Sequence, residues 1–586
     1  MSFCRNTSQQ MNMFDPLYKL TDRERKILKN SWSEEFSNTI FPLISEERFS
    51  VIYSSNPANR PNNPVNVYMG LMMLKEIFTQ SDEEAIHSLL FDVRYQYALH
   101  TTSFEEQPVS KNSLTNFRTA VYRYNEEHGV DLIQEEIESH AKEFAKLLNI
   151  DGRAIRMDSL MISSSCKRLS RLEIIYSCVS RLIEEIQKVE PTLLPEKYKP
   201  YLEEGHRNET IYRSKDKDIE TKLTVVTADA IELFYLCKDT AVEASEDFLL
   251  LSRMLGEQTK LTTDGKMELK PSKEISPESL QNPTDPDATY RRKGTKNYTG
   301  FVGNVAESFN EKARIITHYD LKQNTYSDQR FSKDIIDKLG KQNETIKILI
   351  DGAYYSEDIS KKAMANNIEL IPTNLVGRSV SSEKTGYEKF NIDEVIHTVK
   401  NCPAGHVPSD SRYKKGVYRA HFPKECCDNC PHQANCPVTK QKKQYLFEVS
   451  ETKLHCAVQR CKMGTTEYYE IASKRAGVEG IPSTLRRQYD IDNLPIRGKV
   501  RSKVWLGLKI GAINCKRYIK SRTLSINEAL SSTLLNHLLE VFCFQRPRQQ
   551  IWLLRKKILT KILSYWDTII ISSRGDYEGG IIQTWF

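Results

Sequence analysis

No uncharged apolar run in the 586-residue sequence comes near the ~20 residues a helix needs to cross a bilayer, so no helical membrane span is expected. The opening MSFCRNTSQQMNMFDP has no apolar core of signal-peptide length, and a cytoplasmic location is expected. Long low-complexity tracts are also missing. With 39% hydrophobic and 27% charged residues, the composition is that of a folded chain, which sets disorder aside as the main theme. The thirteen cysteines do not read as a disulfide framework: their number is odd, five lie between Cys402 and Cys436, and the rest are scattered. Reduced thiols with one metal-binding cluster are expected instead. A single core stops growing well below this length, so two to four domains are expected.

Charge is in modest excess, +7 overall, but unevenly placed. Between Lys474 and Arg522 stand thirteen Lys or Arg against three acids, Glu479, Asp490 and Asp492, a local charge of +10. Such a density suits a polyanion partner, because each neutralised phosphate releases counterions. A solvated helical face is the plainer alternative.

Residues 1–150 read as helical. NPVNVYMGLMMLKEIFTQ starts near Pro64 with apolar residues at helical spacing, and SDEEAIHSLLFDVRYQYAL opens on Ser81 and Glu84 in capping-box positions. SKNSLTNFRTAVYRYNEEHG makes a third helix, in which Arg118 and Arg123 are interleaved with Tyr122 and Tyr124. Three such helices form either a helix-turn-helix-like DNA reader or a plain bundle. The character changes at Gly152: RAIRMDSLMISSS is a strand candidate carrying Asp158, followed by the helical LSRLEIIYSCVSRLIEEIQKV. Residues 191–289 read as a helical insertion that closes on the loop SPESLQNPTDPDATY. NYTGFVGNVAES and ARIITHYDL suit antiparallel neighbours, a helix from Ser332 leads to IKILIDGAYYSED, and IELIPTNL follows as a strand. This order predicts a mixed α/β sheet with an antiparallel portion. The tail, residues 523–586, is amphipathic and then irregular.

The run from Ile346 reads as a strand buried on both faces, with Asp351 at its carboxyl end, where ligands gather in open α/β sheets. Taken alone, an Asp-Gly turn is the plainer reading of that end. Further on, Cys427 and Cys430 form a C-x-x-C knuckle that Cys402 and Cys436 complete into a tetrahedral thiolate set for zinc. Cys426 is an alternative to Cys427, and His406, His421 or His432 to one sulfur. CPAGH and CCDNCPHQANCP are turn-rich and poor in core residues, and bound zinc would supply their folding free energy. A metal-free cluster of reduced cysteines is the alternative. Glu479, just before Pro482, fits the start of a helix on which Arg475 and Arg486 would share its face.

Asp158, Asp351 and Glu479, if brought together, would raise one another's pKa unless cations held them. Mg²⁺ resolves that conflict, since it takes hard oxygen ligands and bridges carboxylates to phosphates. Two such ions about 4 Å apart activate the attacking oxygen and stabilise the leaving one in displacement at phosphorus.

The pieces RMDSLMISS, DPDATYRRKGTKNYTGFVGN, LIDGAYYSED, IELIPTNLVGR and RAGVEGIPSTLRRQYDIDNLPIRGKVRSKVWLGLKIGAINCKR, in this order, resemble the bacterial insertion-sequence transposases of the DDE class. NRPNNPVNVYMGLMMLKEIFTQSDEEAIHSLLFDVRYQYAL with SKNSLTNFR, and a four-cysteine insert before the glutamate, are similar to one branch of that class. The resemblance covers most of residues 40–520. It implies a ribonuclease-H-like catalytic core at 151–522, with the helical insertion at 191–289 and a small cysteine-rich zinc-binding insert at 400–440. An all-helical DNA-recognition domain would precede it at 1–150, and a C-terminal helical tail would follow at 523–586. Asp158, Asp351 and Glu479 would be the catalytic ligands of two Mg²⁺ or Mn²⁺ ions, and Cys402, Cys427, Cys430 and Cys436 those of a structural Zn²⁺. Arg475, Arg486, Arg487, Arg497, Lys503 and Arg118 would bind DNA. The implied activity is hydrolysis at the element's end followed by attack of the freed 3′ hydroxyl on target DNA. Partners would be the terminal inverted repeats, the target and a second copy of the chain in the synaptic complex, at the nucleoid when bound to DNA. A catalytically silent zinc-stabilised regulator, or a nuclease of the same fold, are the alternatives. Two positions depart from the class pattern: Ala472 and Arg486 stand where related transposases often carry tyrosine and lysine, while Arg475 keeps their arginine.

Overall fold

The computed structural model describes residues 1–7, 13–212, 216–375 and 384–543. Val376, Gly377 and Arg378 of the resemblance, and residues 544–586 of the tail, lie outside the described residues. Two compact units are distinguished, Met1–Tyr518 and Ile519–Phe586.

The N-terminal helices include α1 (Val65–Ile77), α2 (Asp82–Phe91), α3 (Lys111–His128) and α4 (Leu132–Leu147). Helix α1 is buried nearly all round, so it forms the centre of this bundle. The capping box at α2 is formed, with Ser81 accepting from the Glu84 amide and Glu84 accepting from the Ser81 amide. The helical run expected through Leu99 breaks at Asp92, whose carboxylate caps the separate short helix Val93–Ala98. Helix α3 turns Leu114, Phe117 and Val121 inward and stops at Gly129, which takes a positive φ of 69°.

Helices α5 (Arg171–Val189), α6 (Asp216–Cys237) and α7 (Glu246–Gln258) share their own core, built around Ile175, Val179, Leu182, Leu233 and Leu251.

Six strands make the central sheet: β1 (Ala154–Ser163), β2 (Thr289–Lys293), β3 (Lys296–Phe309), β4 (Arg314–Gln323), β5 (Ile346–Ile350) and β6 (Ile368–Pro372). The path across it is β2, β3, β1, β5, β6. The long β3 shares its outer edge end to end, with β2 against Lys296–Gly300 and β4 against Phe301–Phe309. These pairings and β1 with β3 are antiparallel, whereas β1 with β5 and β5 with β6 are parallel, which gives the expected mixed sheet. Helices α8 (Asp328–Leu339) and α9 (Glu357–Ala365) cover one face, with Phe331, Ile335, Ile336 and Ala363 packed on Ile155, Met157, Val302 and Ile348. Helix α8 begins ahead of the expected Ser332, because Ser327 caps it by accepting from the Arg330 amide.

The β3–β4 register shifts so that Ala306 faces His318 while Glu307 faces Ile316, leaving Thr317 as the extra residue of a bulge. The buried amide of Asn514, on the helix that starts at Lys499, then accepts from the Ile316 amide at 2.9 Å and donates to its carbonyl at 2.8 Å.

The cysteine-rich region differs from its expected character. Strands β7 (Asp410–Lys414), β8 (Val417–Pro423), β9 (Val438–Lys440) and β10 (Gln444–Ser450) form a four-stranded antiparallel sheet in the order β7, β8, β10, β9. Phe390, Tyr418, Phe422, Tyr445, Phe447 and Val449 build a core on it. The module thus has an aromatic core of its own, against which Cys402, Cys427 and Cys436 pack. After it come α10 (Glu451–Met463), α11 (Thr466–Ser473), a 3-10 turn at Lys474–Glu479, α12 (Gly480–Tyr489) and α13 (Lys499–Cys543).

Candidate active site

Asp158 sits mid-strand on β1, where the strand continues past its parallel neighbour. The β1–β5 register pairs Ala154 with Lys347 and Arg156 with Leu349. Continued by two residues, it brings Asp158 level with Asp351, which directly follows β5. Both acids thus lie at the carboxyl edge of the parallel half-sheet. Glu479 ends the 3-10 turn that packs across β1 and β5, and Pro482 stands in the first turn of α12.

Arg475 joins two of the three acids. Its Nη2 donates to Asp158 Oδ1 at 2.9 Å, and its Nη1 lies 3.3 Å from Glu479 Oε1. Burial pushes the Asp158 carboxyl above its usual range, the Arg475 guanidinium pulls it back, and the Glu479 charge raises it. Asp351 is placed differently: its carboxylate accepts from the Gly352 amide at 2.7 Å, and it makes no ion pair among the described residues. Gly352 is required by a close approach, since a Cβ there would overlap the side chain and carbonyl of Asn374, whose Oδ1 also accepts from the Gly352 amide.

A second set of residues, unnoticed in the sequence, holds the glutamate-bearing turn. Arg156 precedes Asp158 by two residues and so shares its strand face. It donates to the Lys474 carbonyl at 2.7 Å, pairs with fully buried Glu307 at 2.5 Å, and lies over the Phe309 ring. Glu307 also takes Arg517 at 2.7 Å. A Cβ at Gly477 would overlap the Arg156 guanidinium, so glycine is the residue that lets it reach the turn. The Arg314 guanidinium donates to the Gly477 carbonyl at 3.3 Å. An arginine two residues from a strand acid was the available signal for Arg156; nothing in the spacing pointed to Glu307 or Arg517.

The basic window is neither a uniform phosphate surface nor a solvated face. Lys509 is buried against Glu76 and the Trp505 ring. Lys503 pairs with Asp320 at 3.0 Å and Arg486 with Asp492 at 3.3 Å. Arg118 on α3 binds Asp82, which also takes Lys75, so this arginine ties helices of the bundle together. Arg487 and Arg497 are exposed and have no carboxylate partner among the described residues. Ala472 is buried in one cluster with Leu349 and Ile371.

In the cysteine module, burial pushes the Cys427 and Cys436 thiols up to about 11, and their neighbours Cys402 and Cys430 push in the same direction. The Cys430 amide donates to the Cys427 carbonyl, which closes the knuckle turn. The donor set suits zinc in kind, although among the described residues no three His, Cys, Asp or Glu side chains stand in a geometry that could hold a metal ion.

Residues 401–519 match the family model described as Transposase DDE domain. Over that stretch the chain is similar to the DDE domain of transposases. The matched stretch carries Glu479, Arg475 and the cysteine module, while Asp158 and Asp351 precede it. The mixed sheet with its flanking helices is consistent with a ribonuclease-H-like DDE domain, and DNA is the partner that a transposase implies. No curated protein and no solved structure matches the chain. Among the described residues no helix is long and apolar enough to cross a membrane.

Proposed function

We propose that the chain is a divalent-metal-dependent DNA transposase that cleaves the ends of an insertion sequence and joins them to target DNA. The observation that carries this reading is the bridge from Asp158 to Arg475, 317 residues away, and on to Glu479 at the carboxyl edge of the sheet. The acids suit a metal in kind, since a guanidinium already stands between two of them where a cation would, although among the described residues the three carboxylates do not form a metal-holding group. Asp158, Asp351 and Glu479 would hold Mg²⁺ or Mn²⁺, in two sites. Bound there, the metal would activate the attacking oxygen and stabilise the leaving one.

The chain's own groups set the geometry. β1 and β5 fix the two aspartates on a buried sheet, and Arg156 and Arg314 fix the turn that carries Glu479. The Arg475 guanidinium opposes the rise that burial imposes on the Asp158 carboxyl. Arg487 and Arg497 offer free guanidinium forks to backbone phosphates. Arg486, Lys503 and Arg118 would exchange an internal carboxylate for phosphate on binding. The helical N-terminal region would read the terminal repeats, and two copies would act in the synaptic complex, in the cytoplasm at the nucleoid. Cys402, Cys427, Cys430 and Cys436 would hold one structural zinc, checked by metal analysis of protein purified without chelator; a zinc-free protein overturns that assignment.

The deciding experiment is strand cleavage and strand transfer by purified protein on end-containing DNA. Asp351→Ala should abolish both while DNA binding persists. Unchanged cleavage in that variant refutes the assignment, and cleavage without joining would make the protein a nuclease.

A further inference from the structure

The loop SPESLQNPTDPDATY is one sequence feature that the catalytic reading leaves without a role. Its middle, Asn282 to Thr284, forms one wall of a cleft of about 370 Å³, whose other walls are α5, the segment after β1, the short helix Glu204–Arg207 and the loop before α13. The wall is braced by the fully buried Asp285, which accepts from Ser164 Oγ at 2.6 Å and from the Gly498 amide at 3.1 Å. Asn282 adds a bond to the Lys167 carbonyl at 2.8 Å. The cleft is therefore a rigid feature that joins the end of β1 to the basic window.

Its lining mixes polar groups with the apolar surfaces of Leu169, Tyr176 and Pro283. Four cations face it. Lys167 and Arg181 are spoken for by Glu173 and Asp247. Arg207 and Arg497 carry no carboxylate among the described residues, and Glu184 is the one acid in the lining. Ser177, Ser180 and Asn282 add uncharged hydrogen-bonding groups between them. The volume lies within the ~300–1,000 Å³ of small-ligand sites. Ser165 follows Asp158 by seven residues, roughly 20 Å along an extended strand, in the direction in which the sheet's carboxyl edge opens. A DNA strand leaving the acids along that edge reaches the cleft within a few nucleotides.

We propose that this cleft seats one nucleotide of a single-stranded DNA segment, with its phosphate between Arg207 and Arg497 and its sugar and base against Ser177, Ser180 and Asn282. The inference rests on the chain being a DNA-processing enzyme, and it gives the helical insertion a role as part of the strand's track.

The test uses the full chain in EDTA with a fluorescein-labelled oligothymidylate, its anisotropy titrated over a range of salt. Arg207→Gln with Arg497→Gln should lower the slope of log K against log salt by about 0.7, the share of the one single-strand phosphate that the two arginines hold together. Arg207→Lys with Arg497→Lys should keep most of the slope, and its unchanged melting temperature separates charge from folding. Thymidine 5′-monophosphate should compete with the oligonucleotide on the wild type and not on the double glutamine variant. An unchanged slope in the glutamine variant overturns the proposal. So does a wild type that cleaves end-containing duplex but does not bind the oligonucleotide, an outcome that leaves the transposase reading standing.

Discussion

The Arg475 guanidinium spans Asp158 and Glu479, with 2.9 Å to the first and 3.3 Å to the second. A lysine cannot span both carboxylates, because its ammonium is a single point charge. Arg475→Lys is therefore expected to lower cleavage by about 10–100-fold, the usual cost of losing a partner that orients metal ligands. Single-turnover cleavage with saturating Mn²⁺ measures it, and a rate within twofold of wild type would contradict the orienting role.

Glu307 is fully buried between Arg156 and Arg517. Glu307→Gln removes the charge that both arginines face, and breaking such a buried network costs about 3–5 kcal/mol. Denaturant unfolding should show that loss. Arg156→Lys keeps the charge but not the fork that reaches both Glu307 and the Lys474 carbonyl, so its larger defect should lie in cleavage rate, with end-DNA affinity retained.

Gly352→Ala places a methyl group against Asn374, and overpacking of this kind costs about 1–3 kcal/mol. The strain falls directly after Asp351, so cleavage should drop with stability. Combining it with Asn374→Ala relieves the side-chain overlap but not the one with the carbonyl. Partial recovery of the melting temperature in the double variant is the expected outcome.

His318 is half-buried on β4, and its pKa is pushed down to about 3 by desolvation and then by the nearby charges of Lys338 and Lys142. The folded value lies below the ordinary value of ~6.5, so the unfolded chain binds the extra proton first. Its stabilising contribution is complete above pH ~6.5 and is lost as pH falls toward 3, at up to about 1.4 kcal/mol per pH unit. His318→Gln should flatten the acid limb of stability measured by denaturant unfolding between pH 6 and 4.

Local signals carried much of this architecture. The apolar runs at Ile346 and Ile368 became adjacent parallel strands, and Ser81 with Glu84 capped a helix, because each depends on neighbours a few residues away. The partners of charged groups were not legible. Lys509 counted as surface charge until Glu76 and Trp505 closed around it, and the Arg156–Glu307 pair joins residues 151 positions apart. The cysteine segment misled for a related reason: its turn-rich loops looked coreless because the aromatic residues that support them, among them Phe390 and Phe447, lie outside the loops themselves. Asp158 and Glu479 could be named from the resemblance, but Arg475 as their link required coordinates.

The five-residue strand Ile346–Ile350 works as a ruler. Its first residues are clamped in register with β1, so the reach of the acid that follows is set by counting peptide units. Removing Ile350, which lies between those pairs and the acid, would draw that carboxylate back by ~3.3 Å and turn it to the opposite face of the sheet, with the β1 register kept. Tolerance to substitution within this strand and intolerance to any change in its length are thus the same property seen from two sides.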